Sequence, residues 1–260
     1  MGEVLLQIEN LKVSTGGTVI LEGLDLTICA GEIHVLMGHN GAGKSTLGAT
    51  VMGSPVFEVE EGTVRFDGTD ITDESADARA RLGLFLSFQA PQEIPGITLR
   101  NFLRVAKGAI SGETPRVLPF YRELDAAMAE LDMAPEYATR DVNVGFSGGE
   151  RKKSEVLQML MLQPKLAILD ETDSGLDVDA VRAVSAGLKK FHNKDNALLI
   201  ITHNAKLVED IEVDKVHILG DRKIVQTGGR ELMDKILAQG YATAGEEAQG
   251  AAEQVGEAVR

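Results

Sequence analysis

Cysteine is almost missing from this chain of 260 residues. Cys29 stands alone, so no intrachain disulfide and no Cys-rich metal or cluster site can be built from it. Such a residue is ordinarily a small buried or half-buried side chain. Tryptophan is absent and aromatics make up 4% of the residues, which argues against a stacking platform for nucleic acid and an aromatic-cored β-protein. Positive charge is short as well, with 26 Lys and Arg against 40 Asp and Glu. The formal net charge of −14 speaks against a polyanionic partner, which would need a basic stripe. Any bound anion must be met locally, by a few well-placed donors. No apolar run approaches the ~18 residues of a membrane span, and no charged stretch leads into an apolar one at the start. The expectation is a cytoplasmic protein without a membrane span. What is present is ordinary: 43% hydrophobic and 25% charged residues, enough for one large or two small domains.

The most informative stretch is Gly38-His39-Asn40-Gly41-Ala42-Gly43-Lys44-Ser45-Thr46. It matches G-x-x-x-x-G-K-[ST], and an apolar strand, Ile33–Met37, leads into it while a helix-competent run, Leu47–Met52, follows. Glycines let the backbone turn and aim N–H groups at phosphate oxygens. Lys44 adds a point charge for the β- and γ-phosphates, Ser45 a hydroxyl for Mg²⁺, and the helix N-terminus a favourable dipole. The stretch is a nucleotide site.

Around it, strands are expected at Leu5–Ile8, Val19–Leu21 with Leu24–Ile28, Gly62–Phe66 and Leu84–Phe88. From Ala90 the character changes. Pro91, Pro95 and Gly96 break the chain, and helical patterns follow near Leu99–Lys107 and Tyr121–Met133, so about 90–163 reads as a helical subdomain inserted in the core. It ends with Ser147-Gly148-Gly149-Glu150, a helix start with Ser147 as N-cap and Glu150 completing a capping box. Buried strands resume at Leu166–Leu169, before Asp170, and at Ala197–Thr202, before His203; a helix over Asp179–Phe191 separates them. Val216–Leu219 and Lys223–Gln226 form a hairpin, and a helix near Arg230–Leu237 closes the fold. Residues 242–260 read as a flexible acidic tail behind one domain over 1–241. Strands alternating with helices imply a mainly parallel sheet with its ligand at the strands' carboxyl ends, where Gln89, Asp170 and His203 all stand.

Asp170, at the mouth of a buried strand, can hold Mg²⁺ with Ser45, directly or through water. Glu171 projects differently and can orient or deprotonate an attacking water. Gln89 can supply an amide to Mg²⁺ or that water, and His203 can sense the γ-phosphate. His34, His39, His192 and His217 have no convergent partner in the sequence and read as structural. The glycines after Ser147 make a second phosphate-binding helix start, or else an ordinary capped one. Because Lys44 and its loop already cradle phosphates, this element is expected to act on ATP bound to a second copy, in a head-to-tail two-fold dimer. Arg151, Lys152 and Lys153 read as an exposed basic face, the alternative being a resting ion pair from Lys152 to a catalytic carboxylate.

The phosphate loop 38–46, Gln89, Phe146–Glu150, Leu166–Glu171, Ser174-Gly175-Leu176-Asp177 and Thr202-His203, in this order, resemble the nucleotide-binding domain of ABC ATPases over nearly the whole chain. The resemblance implies an α/β fold, a P-loop ABC-type domain with a RecA-like core, an antiparallel β subdomain and an inserted helical subdomain. It implies ATP hydrolysis with Mg²⁺ at two composite sites. ATP would lie on Gly38–Thr46 and Gln89, the metal on Ser45, Gln89 and Asp170, and catalysis on Glu171, His203, Gln89 and Lys44. Ser147–Glu150 would serve the opposing copy, and Asp177 signalling across the interface.

Met37–Gly41, Phe88–Gly96, Val142–Glu150 and Leu169–Asp177, with Ala238–Tyr241, are similar in particular to the ATPase subunits of the SUF iron–sulfur cluster assembly machinery. That family implies a partner scaffold of SufB and SufD type. The main rival is the ATPase subunit of a membrane transporter. Two positions depart from the wider pattern. No aromatic precedes Phe57, where many ABC domains stack a ring on adenine, and Val13 lies about where that ring would be, so weak base discrimination is expected. Asn204 follows His203 where the family often has Tyr.

Overall fold

A computed structural model describes residues 2–202 and 205–241. The chain opens with two long strands, β1 (Val4–Thr15) and β2 (Thr18–Cys29), joined through Gly16-Gly17 as an antiparallel pair. β2 is one strand rather than two short ones. β3 (Ile33–Gly38) then runs into the phosphate loop and α1 (Lys44–Val51). β4 (Glu58–Phe66) returns to pair with β1, and β5 (Thr69–Asp70) adds an edge, giving the antiparallel sheet β2-β1-β4-β5. α2 (Ala76–Leu82) leads to β6 (Leu84–Ser87).

Next come β7 (Ile94–Thr98), α3 (Leu99–Ser111), α4 (Val117–Glu130), β8 (Asp141–Val142) and α5 (Gly148–Leu162). β7 and β8 form a small antiparallel sheet at the segment that Pro95 and Gly96 marked as a chain break. The sequence pattern missed it because a pair this short carries no period-2 signal. β9 (Leu166–Asp170), α6 (Val178–Phe191), β10 (Ala197–Ile201), β11 (Lys215–Gly220), β12 (Lys223–Gly228) and α7 (Arg230–Gln239) complete the described chain. The main sheet has the order β12-β11-β3-β10-β9-β6, parallel except for the β11–β12 hairpin.

Every residue of β3, β9 and β10 is buried, the pattern of a parallel strand covered on both faces. Alternation decides which core each side chain joins. Ile33, Val35, Met37, Ala167, Leu169, Leu198 and Ile200 pack under the helices, whereas Leu36, Leu166, Ile168, Leu199 and Ile201 face the antiparallel sheet and α1. Parallel register aligns Ile201 with Leu36 and with Asp170, so the carboxyl ends of β3, β10 and β9 open along one edge.

His34 and His217, read as structural with no partner visible in the sequence, are buried against each other. His217 lies on β11 beside β3, and its Nε2 is 3.0 Å from Nδ1 of His34. His34 Nε2 lies 3.0 Å from Glu32 Oε2, and His217 Nδ1 2.9 Å from Thr227 Oγ1. With both rings neutral the chain runs in one direction, Thr227 to His217 to His34 to Glu32, and every polar atom is satisfied. The pairing spans 183 positions in sequence, which is why spacing did not reveal it. Residues 242–260, expected to form an acidic tail, lie outside the described residues.

Candidate functional site: a phosphate cradle at the carboxyl edge of the sheet

β3 delivers the chain to the sheet edge at Gly38, where a Cβ would stand 2.4 Å from the Leu219 carbonyl oxygen, so only glycine fits. The loop returns through Gly43, the N-cap of α1, at φ +105, where a Cβ would meet Leu21 Cδ2 at 2.8 Å. α1 has no acidic residue in its first turn and no side-chain cap, so its N–H groups and dipole are left for an anion. Lys44 is buried, and its Nζ donates to Gly38 O at 2.8 Å and His39 O at 3.0 Å. Burial pulls this ammonium below its ordinary pKa, opposed by the carboxylates of Glu171 and Asp170. A phosphate would restore what burial removed.

Asp170 closes β9 with 6% exposure. Burial pushes its carboxyl above the usual range, a hydrogen bond from Ser45 pulls it back, and Glu171 pushes it further up. Its Oδ1 is buried without a hydrogen-bond partner. A buried, unpartnered carboxylate oxygen next to a serine hydroxyl is a donor set that suits Mg²⁺. Glu171 follows in a left-handed conformation, φ +47, its N–H bonded to Ile201 O at 2.9 Å. That turn aims its carboxylate along the sheet edge, where Oε2 accepts from Gln89 Nε2 at 2.6 Å. Ile20, Asn40, Gly41, Gly43, Lys44, Ser45, Thr46, Gln89 and Glu171 line a cleft of about 380 Å³. An adjoining space of about 530 Å³ shares Ser45, Thr46 and Gln89 with it and reaches Asp170. The structure thus brings together Gly38–Thr46, Gln89, Asp170 and Glu171. His203 lies outside the described residues; Thr202 before it donates to Asp173 Oδ2 at 2.9 Å. Val13 is fully buried in the antiparallel sheet and cannot meet a base; Ile20 on β2 is the nonpolar side chain at the cleft.

The basic triplet after the helix start is not an exposed face. Arg151 pairs with Glu93 and donates to Phe146 O at 3.0 Å, and Lys153 donates to Asp132 O at 3.1 Å. Lys152 is buried and pairs with Glu155 at 3.4 Å, not with a catalytic carboxylate. Its Nζ also donates to Phe88 O at 2.7 Å and Gln89 O at 3.0 Å, while Glu155 Oε1 accepts from Phe88 N at 2.8 Å. Burial raises the Glu155 carboxyl and Lys152 opposes it. Three hydrogen bonds from α5 therefore hold the backbone that presents Gln89. The sequence signal available was Lys and Glu at i, i+3; it showed that they could pair, not that both are buried.

α5 is capped as the sequence predicts: Glu150 N donates to Ser147 Oγ at 3.3 Å, and Ser147 N to Glu150 Oε2 at 2.7 Å. Glu150 also accepts from the Tyr137 hydroxyl, whose bond holds the carboxyl below its ordinary range. Its charge is thus spent on the cap, and Ser147 Oγ with the Gly148 and Gly149 N–H groups is what this helix start can offer an anion. None of Ser147–Glu150 lines the cleft around Lys44. Asp177, exposed, caps α6 by accepting from Ala180 N at 2.8 Å.

A profile of the ABC transporter family matches residues 21–174, more than half of the chain. The chain belongs to the ABC ATPase family. The relatives agree: a probable ABC transporter ATP-binding protein of Streptococcus pyogenes serotype M18 is 48% identical over 240 residues, 92% of this chain and 94% of its own. Vegetative protein 296 of Bacillus subtilis is 45% identical over 93% of each chain. The probable ATP-dependent transporter ycf16 of Guillardia theta is 42% identical over 93% of this chain and 97% of its own. Among solved structures, a dimeric post-hydrolysis ATP-binding cassette with ADP and Pi superposes with a TM-score of 0.76 at 18% identity, covering 86% of this chain and 98% of that one. An ATP-binding subunit of an ABC transporter gives 0.77 at 22% identity over 94% and 99%. At these identities the structures show the fold, and the expected α/β P-loop architecture is borne out. This ABC ATPase binds and hydrolyses ATP. Among the described residues no helix is long and apolar enough to cross a membrane.

Proposed function

We propose that this ABC ATPase supplies the ATP-driven step of SUF-type iron–sulfur cluster assembly, as the SufC-like partner of a SufB/SufD-type scaffold. The observation that carries the reading is the set of runs Met37–Gly41, Phe88–Gly96, Val142–Glu150 and Leu169–Asp177. These runs hold Gln89, the α5 cap and the Asp170–Glu171 pair, the parts that link nucleotide state to the rest of the molecule. Beside Gln89, an exposed Phe88 joins Ala49, Met52, Pro55, Phe57 and Leu86 in a largely apolar recess suited to a protein partner.

In this reading the γ-phosphate meets Lys44 and the N–H groups of α1, water attacks it, and ADP and phosphate leave. Ser45, Gln89 and Asp170 would hold Mg²⁺, which when bound neutralises charge on the β- and γ-oxygens. Glu171 orients the water and takes its proton, with Gln89 positioned against it at 2.6 Å and His203 completing the site. A second copy brings Ser147, Gly148 and Gly149, with Glu150 holding their geometry, to the γ-phosphate, and Asp177 lies at that interface. The helices between β6 and β9, about 90–163, move as the inserted subdomain within a 1–241 domain, and the cytoplasm is the compartment.

The second reading is a transporter subunit, favoured by the relatives named ABC transporter ATP-binding protein and ATP-dependent transporter. It uses the same site and the same recess. Affinity capture of the intact protein from gently lysed native cells, with and without detergent, tests the choice. Recovery with soluble SufB/SufD-like proteins supports the SUF role. A detergent-dependent complex with a polytopic permease overturns it and leaves the ATPase chemistry standing.

A further inference from the structure

Tyr241, two residues past the end of α7, reaches the phosphate loop. Leu232, Met233 and Ile236 bury one side of α7 in the helical-side core, and Gly240, at φ +79, turns the chain so that its N–H bonds back to Ile236 O at 2.8 Å. Tyr241 then packs partly buried on the same core, with its ring centroid 4.5 Å from that of His39 and the planes tilted by 52°. The Gly38 N–H acts on the Tyr241 oxygen, offsetting in part the rise that burial imposes on the phenol. His39 is otherwise an exposed loop residue, and Gly38 and His39 are the two residues whose carbonyls hold Lys44 Nζ.

We infer that Tyr241 is a positioning residue for nucleotide binding: it fixes the start of the phosphate loop through His39, and through those carbonyls the place of the Lys44 ammonium. A ring anchored to the core supplies the exposed loop with one fixed neighbour, and preorganising a site before the ligand arrives raises affinity without a contact to the ligand. The effect belongs to binding, since the Tyr241 ring sits against His39 in the loop whose carbonyls hold Lys44 Nζ.

The inference rests on the phosphate-loop reading, and the test separates the two. Full-length protein is titrated with MgADP by calorimetry, and steady-state kcat and KM for ATP are measured alongside thermal melting. Tyr241→Leu keeps apolar bulk against the core but loses the ring; it should raise Kd and KM about fivefold or more, with kcat within about twofold. Tyr241→Phe, which keeps the ring, should restore most of the affinity. His39→Ala, at an exposed position, should give a similar rise, and the double variant no more than either single one. Wild-type Kd in a folded Tyr241→Leu protein, or effects of the two positions that simply add, overturns the inference. Lys44→Ala tells which reading failed. Loss of binding there alongside wild-type affinity in Tyr241→Leu removes only the role of Tyr241, whereas retained binding in Lys44→Ala removes the phosphate-loop assignment itself.

Discussion

Two helix N-termini, both expected to meet phosphate, are built in opposite ways. α1 begins at a left-handed glycine with no side-chain cap and no acid in its first turn, and places a buried Lys44 there instead. α5 begins with a complete capping box, and Glu150 adds a negative charge that Tyr137 helps to hold. The first start is incomplete without an anion. The second is complete as it stands and offers only a serine hydroxyl and two glycine N–H groups. On the proposed reading, a chain with both would have one half-site that binds phosphate on its own and one that meets an anion only when a second copy presents it. That asymmetry gives physical content to a composite site in a two-fold dimer.

The comparison can be broken most sharply at Glu171. Glu171→Gln should bind MgATP with near-normal affinity yet turn over about a thousandfold more slowly, and should accumulate as an ATP-dependent dimer on size-exclusion chromatography. Wild-type turnover would remove Glu171 from its role and leave the two half-sites without a common chemistry. Next in size is the buried pair that ties α5 to the Gln89 segment. Lys152→Met should cost about 3–5 kcal/mol by urea denaturation, because Glu155 is left buried and unpaired. Adding Glu155→Leu should recover much of that loss while turnover stays low, since Phe88 and Gln89 have still lost their anchor. A double variant with normal turnover would detach α5 from the catalytic half.

A pH series sharpens the view of β3, the buried strand that delivers the chain to the phosphate loop. Burial, with His34 and Lys215 beside it and Glu32 opposing, pushes His217 down to about 3 from an ordinary 6.5. Between those values the unfolded chain binds a proton that the folded chain refuses, so stability should fall as pH drops through that window and be flat for this group above it. The urea midpoint should follow, and His217→Gln should make the fall shallower. An unchanged slope would show that the histidine chain is not what resists protonation. The smallest effect is expected at Ser147. Ser147→Ala should cost about 1 kcal/mol of stability as a lost cap, leave MgADP affinity of the monomer unaltered, and lower turnover only where dimers form. Weakened nucleotide binding in the monomer would mean that α5 serves its own chain's site.

The catalytic stretch was legible because its chemistry is local. Ile33–Thr46 declare a strand, a tight loop and a helix start in one short stretch, and Asp170-Glu171 follow a short all-apolar run of the kind a covered strand has. The capping box at Ser147 and Glu150 was equally readable, being a contact across three positions. Sequence distance hid the rest. Lys152, Lys153 and Arg151 look like a solvated basic patch until the fold supplies Phe88, Asp132 and Glu93 from other segments. Val13 seemed to mark the place of a base, but alternation along β1 turns it into the core.

By itself, then, the sequence determined which residues are offered to a phosphate and the alternation of strands and helices that carries them, because glycine freedom, capping and hydrophobic period act over a few residues. Only the tertiary structure decided what lies against them: Lys152 on the Gln89 carbonyl, His217 beside His34, Tyr241 on His39. Those contacts join residues that the chain keeps far apart. Burial, which determines whether a charge is solvated or must find a partner, is a property of the packed molecule and not of any stretch of it.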